Sequence, residues 1–378
     1  MEHRVQRPNN SVIVGGRWAL VLAAAAAIGL GTPPAIAAVE RLPDGLNTTA
    51  SLSSDQKSQV QRFVAEQFER IRTGDAVAIE EGRRSLMSAF EGAEPSIGFR
   101  LEFGRAGAAD IRRLATGPDL HRAINAILVA GSCGSSETID AITPALADRR
   151  PAIRSACATA LREVIATSTE TRVRRDQGAQ AVRTIGAALA KESDPVVALA
   201  LVAALEPARS TQFHADASMA IGAAIGPLTK ALPGPTTDAA IRGVEAVQRG
   251  VSLMFTRLID PAQAAGVNRD YLVAVVGAGN HALAFAARHA QQTIDDGNPD
   301  AASALGLLVA SAEQGILFGE ARLADRAPES SALKAAFDAG VSSGDATDFT
   351  RLATETIARS AKAIGASPAD FSPADVSE

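Results

Sequence analysis

Residues 145–164 read ALADRRPAIRSACATALREV. Pro151 sits between two Ala-rich helical runs and is followed by Ile153, Arg154 and then small residues at nearly every other position. Proline disfavours the helical region for the residue before it, so the first helix must stop there. The missing N–H costs nothing in a helix's first turn, so the same proline starts the second helix. The small residues let that second helix lie close against its neighbours, and the apolar ones fill the seam.

The pattern recurs. AVRTIGAALAKESDPVVALALVAALEP, residues 181–207, again gives helix, short polar turn, proline and helix. Pro195 lies 44 residues after Pro151. In that frame Ile153 falls on Val197, Ala156 on Ala200, Ala160 on Ala204 and Leu161 on Leu205. GPDLHRAINAILVAG, 117–131, fits the frame through Pro118, Leu120, Ala123 and Leu128, with Pro118 expected in a helix's first turn. A period near 44 residues made of two helices signals helical hairpins packed side by side.

The residues Asp148, Pro151, Ile153, Arg154, Ala156, Ala160 and Leu161 resemble the second helix of a HEAT repeat. The likeness covers about residues 90–208 and is similar in character to secreted HEAT-repeat proteins of planctomycete-type bacteria. It implies an α-solenoid, and it implies that Asp148 and Arg154 take the positions at which neighbouring repeats ladder through hydrogen bonds. Ala198 stands where the next arginine of that ladder belongs.

Away from this centre, residues 39–53 form a polar leader. From Ser54 an apolar stripe runs through Val60, Phe63, Val64, Phe68 and Ile71, at helical spacing. Gly74 ends that helix and Asp75 caps the next. A third helical region follows Pro95, with breaks expected around Gly104 and Gly107. After Pro207 the period fades into longer apolar helical segments, so residues 54–208 read as HEAT-like repeats and 209–366 as diverged repeats or a separate helical bundle. PTTD at 235–238 and NPD at 298–300 are helix starts. The segment 367–378, acidic and Pro-containing, is expected to be a disordered tail.

Composition agrees with an all-α fold. Hydrophobic residues make up 47% of the 378, aromatic ones only 4%, with one Trp and one Tyr. A core of Ala, Leu, Val and Ile brings backbones close together, and Ala is the best helix former. The net charge of −5 is spread along the chain, which argues against a nucleic-acid surface. Arg4, Arg7 and Arg17 precede the apolar run Trp18–Gly31, and small residues follow at Ala35 and Ala37. That is the layout of a secretory signal over 1–38, cut after Ala37 or Ala38, with an uncleaved anchor as the alternative. No further membrane span is expected, and the location implied is secreted or periplasmic. Cys133 and Cys157 would then meet an oxidising compartment. They leave two states open, a bridge or two small buried hydrophobes.

Several strings carry residues capable of chemistry. Gly277, Gly279 and Ala282 fit the dinucleotide pattern G-x-G-x-x-A, with Asp295 downstream, but the flanks have helical rather than strand spacing. Ser331 and Lys334 have the S-x-x-K spacing without a K-T-G partner. His281 and His289 lie two turns apart, and His214 and Asp216 lie two residues apart, which does not bring them together on a helix. None of these strings is expected to bind a cofactor or metal. Basic clusters occur at Arg112, Arg113, His121 and Arg122 and at Arg172, Arg174 and Arg175. The expectation is a secreted scaffold that binds a protein or peptide, without catalysis, through Arg149, Arg150, Arg154, Arg174 and Arg175. The alternative is a small-ligand carrier or an enzyme with its site in 209–366.

Overall fold

The sequence's caps become helix starts. Ser53 and Gln56 form a capping box ahead of α1 (Ser54–Thr73), Asp75 caps α2 (Ala76–Ser88) and Ser96 caps α3 (Ile97–Ala115). Asp119 caps α4 (Leu120–Cys133) and Ser135 caps α5 (Ser136–Ile142). Then come α6 (Pro151–Thr167), α7 (Arg175–Leu189) and α8 (Pro195–Leu205), the last capped by Asp194. The second half holds α9 (His214–Ala231), α10 (Asp238–Ile259), the one-turn α11 (Pro261–Ala264) and α12 (Arg269–Asp295). It ends with α13 (Pro299–Leu323), α14 (Leu333–Ser343) and α15 (Thr347–Ile364). This is a computed structural model. It describes residues 41–167, 175–210, 212–264 and 266–371, which contain these fifteen α-helices and no strand. The chain is all-α over the described residues. The expected signal at 1–38, Arg172, Arg174 and residues 372–378 lie outside them.

The helices touch in two interleaved series. In one, α1 packs on α3, α3 on α5, α7 on α9, α9 on α12 and α12 on α15. In the other, α2 packs on α4, α4 on α6, α6 on α8, α8 on α10, α10 on α13 and α13 on α14. Contacts α7–α9 and α8–α10 carry both series across Pro207, and the described residues fall in one unit, Glu40–Glu378. Residues 104–212 contain no Phe, Tyr or Trp, so these turns close on aliphatic side chains alone. That demands near approach: a Cβ on Gly131 of α4 would sit 2.9 Å from the Ala160 Cα of α6. The positions paired by the 44-residue shift share their burial, Ile153 with Val197 and Leu161 with Leu205, all fully buried.

Four expectations change. Pro118 precedes the cap residue Asp119 instead of entering the helix. Ala123 is buried as the frame expects, but Leu120 is 44% exposed and Leu128 only half-buried while Ile127 is fully buried, so the frame fails at its two leucines. The third helix is unbroken, because Gly104 and Gly107 serve close packing: a Cβ at Gly104 would collide with Ser135 Oγ, and one at Gly107 would come 2.9 Å from Phe68. Residues 367–371, expected to belong to a disordered tail, are folded. Ser367 caps a 3-10 turn at Pro368–Asp370, and the buried Phe371 ring lies 4.7 Å from the His281 ring, centre to centre.

By length and composition alone, α13 is apolar enough to cross a membrane, a property core helices share. Half of its most apolar window is buried, and α10, α12 and α14 pack around it.

Candidate functional site

The segment TIDAITPALAD does not make one helix. Pro144 lacks an N–H and its ring crowds the carbonyl four residues back, so α5 stops at Ile142 after seven residues. The chain continues as a 3-10 turn over Thr143–Ala147. Its neighbours in the same series are much longer, 19 residues for α3 and 15 for α7. On this side α7 packs on the 3-10 turn rather than on a full-length helix, and an open groove lies between them.

The groove has two adjoining lobes that share Thr143 and Thr184. One, of about 540 Å³, is lined by Leu146, Ala187 and Ala188, by the exposed Arg149, Lys191 and Ser193, and by Asp148, Arg154 and Glu192. The other, of about 530 Å³, runs over Pro144, Ile139 and Ala181, with Arg112, Asp140 and Gln180 at its margin. Both volumes lie in the range of binding clefts.

Arginines hold the turns at the first lobe. Arg150 donates to Asp148 through its backbone N at 2.8 Å, Nε at 2.9 Å and Nη2 at 2.8 Å. It also donates to the carbonyls of Pro118 at 2.9 Å and Gly117 at 2.8 Å, just beyond the C-terminus of α3. A cation at that position satisfies orphan carbonyls and complements the helix dipole. These bonds from Arg150 hold the Asp148 carboxyl below the usual carboxylate range. Arg122 plays the same part at the C-terminal end of α1, donating to Ile71 O at 3.1 Å and to Gly74 O at 3.2 Å.

Arg154 reaches forward. Nε and Nη2 each donate to a Glu192 carboxylate oxygen at 2.8 Å, and Nη1 donates to Asp148 O at 2.9 Å. Glu192 also accepts from the backbone N–H groups of Ser193 at 3.0 Å and Asp194 at 2.9 Å. Both acids of this lobe are therefore saturated from within the chain. Arg149 and Lys191 are exposed, and their side chains make no hydrogen bond or ion pair among the described residues.

Of the five arginines expected to meet a partner, Arg149 alone presents a free guanidinium among the described residues. Arg150 and Arg154 tie one inter-helix turn to the next, because each has a carboxylate within reach and carbonyl oxygens beside it. Arg174 lies outside the described residues. Arg175 opens α7, and its side chain is not described. Lys191, Thr143 and Thr184 were missed, since nothing in the sequence distinguishes them from ordinary helix-end residues. The available signal was Pro144, which shortens the helix.

The other candidate strings resolve into structure. Gly277, Gly279 and Ala282 lie inside α12, not at its start; a Cβ on Gly279 would come 2.8 Å from Ile316 of α13, so that glycine permits a helix crossing. Lys334 is tied to Asp338 one turn on, while Ser331 Oγ accepts from the Leu333 N–H at 3.4 Å. His281 and His289 pack on Phe371 and Phe285, and burial pulls each down to about 4. His214 is buried, with Nδ1 on Gln263 Oε1. No group of three or more His, Cys, Asp or Glu side chains able to hold a metal occurs among the described residues. Cys133 and Cys157 are buried free thiols; Cys133 Sγ donates to Arg100 O at 3.5 Å and Cys157 Sγ to Ile142 O at 3.2 Å. Burial raises both thiols, so neither is a ready nucleophile.

No protein-family profile and no curated protein matches the chain. A solved engineered protein, a Northeast Structural Genomics Consortium target, is similar over 67% of this chain and 97% of its own, at 15% identity and a TM-score of 0.37. That likeness is too loose to argue from.

Proposed function

We propose that the chain is a HEAT-like α-solenoid, exported to the cell envelope, that works as a protein-interaction scaffold and takes an extended peptide into the groove between the 3-10 turn and α7. The observation that carries the reading is the shortened α5, which opens a walled trough where its series otherwise packs helix on helix. The alternating contacts and the arginine ties between successive turns support the solenoid. The mechanism is physical: a rigid trough of small side chains binds an extended chain without having to reorganise.

A photo-crosslinking side chain at Ala187 tests this in the producing cell. Discrete adducts are expected from Ala187 and not from Val341 on α14. Equal yields at both positions, or none at either, contradict the reading. Export is tested separately by the mass of the mature protein, which should begin at Ala38 or Val39.

A further inference from the structure

The chemistry of the groove's occupant follows from which charges around it are already spent. Glu192 is held by Arg154 and two backbone amides, and Asp148 by Arg150. What remains at the first lobe is a pair of unspent cations on opposite banks, Arg149 ahead of α6 and Lys191 just after α7. Between them lie Leu146, Ala187 and Ala188, and the two carboxylates that also line this lobe, Asp148 and Glu192, are each paired with an arginine of the chain. The whole chain carries a net charge of −5, whereas the lining of this lobe has three cations, Arg149, Arg154 and Lys191, against two carboxylates, Asp148 and Glu192, a local positive exception. Such an exception steers and selects anionic partners.

We infer that the groove, on the reading given above, takes an acidic peptide segment, with carboxylates on Arg149 and Lys191 and small or aliphatic side chains against Leu146, Ala187 and Ala188. A nucleic acid fits less well. Single strands are held by bases stacked on aromatic rings along a run of cations, and residues 104–212 supply no Phe, Tyr or Trp.

The test pans a phage-displayed random-peptide library against the full mature chain and measures the recovered peptides by fluorescence anisotropy. Three proteins are compared: wild type, Ala187→Trp, which fills the trough, and Arg149→Glu/Lys191→Glu, which reverses the rim. Circular dichroism confirms that the variants keep wild-type helicity; Arg149→Gln/Lys191→Gln substitutes if the reversal unfolds. Recovered peptides are expected to be enriched in Asp and Glu. Their affinity is expected to fall about tenfold or more in the rim variant, as for two reversed charge contacts, and to be lost in Ala187→Trp. Binding that Ala187→Trp removes but the rim variant leaves intact overturns the acidic occupant and spares the groove. Binding indifferent to both variants, or no recovered peptide, overturns both. A labelled twelve-nucleotide oligothymidine that binds more tightly than the peptides, with loss in the rim variant, also overturns the peptide assignment.

Discussion

The Arg154 guanidinium grips the Glu192 carboxylate through two parallel 2.8 Å bonds that join the start of α6 to the turn before α8. Both groups are largely buried, with 15% and 5% of their side-chain surfaces exposed. Removing one partner strands the other's charge in a poorly solvated place. Arg154→Ala is expected to cost on the order of 3 kcal/mol in urea unfolding. Arg84→Ala, which breaks an exposed pair with Glu80 on α2, should leave the midpoint unchanged. Equal effects would show that the tie between turns contributes nothing.

The 44-residue correspondence makes a claim about single positions. Val196 is 43% exposed and its neighbour Val197 is buried, as is Ile153, its counterpart in α6. Ile153→Ala and Leu205→Ala should each cost about 2–5 kcal/mol, and Val196→Ala should stay within about 0.5 kcal/mol. Denaturant midpoints at constant slope check this; a large loss at Val196 would contradict the register.

Glycine substitutions separate crossing points from passengers. A new Cβ at Gly277 would meet only Ile364 Cδ1, at an unstrained 4.0 Å, so Gly277→Ala should stabilise α12 by about 0.5–1 kcal/mol. At Gly131 the same change drives a methyl into the Ala160 backbone and should destabilise by about 1–3 kcal/mol despite the better helix propensity. Differential scanning calorimetry reads both; shifts of the same sign would refute the packing argument.

The two packed histidines set an acid limit. Both have pKa values near 4, against an ordinary 6.5, chiefly through burial. At His281 Lys230 adds to the lowering and Asp370 opposes it; at His289 Arg288 adds to it. Unfolded histidines take protons near pH 6.5 while the folded ones refuse them, so the stability they contribute is whole above 6.5 and is lost as pH falls through about 4. The His281→Phe/His289→Phe variant should therefore lose less stability than wild type between pH 7 and pH 4.5. Parallel pH profiles for the two proteins would contradict this.

Much of this was legible in the chain. Pro151, Pro195 and the caps Asp75, Thr237 and Asn298 announce their helices, because a ring without an N–H or a short polar side chain acts on the nearest turn of backbone. The fate of Arg150 and Arg154 was not legible. Each looks like a surface arginine until the carbonyls of residues 117 and 118, or Glu192, arrive from 32 to 38 residues away. Gly104 and Gly107 were misread as breaks for a related cause: a glycine that interrupts a helix and one that admits a neighbour have the same sequence, and only the partner, Ser135 or Phe68, tells them apart. The groove sits between these cases. Pro144 foretells the end of α5, but the space this leaves depends on where α7 lies.

The most direct measurement is hydrogen–deuterium exchange of the mature chain with and without a saturating acidic peptide. Added protection concentrated in residues 143–149 and 184–193, with residues 329–359 unchanged, is the predicted result. Protection centred in 329–359, or no change along the groove at saturation, would contradict the assignment of this trough as the binding surface.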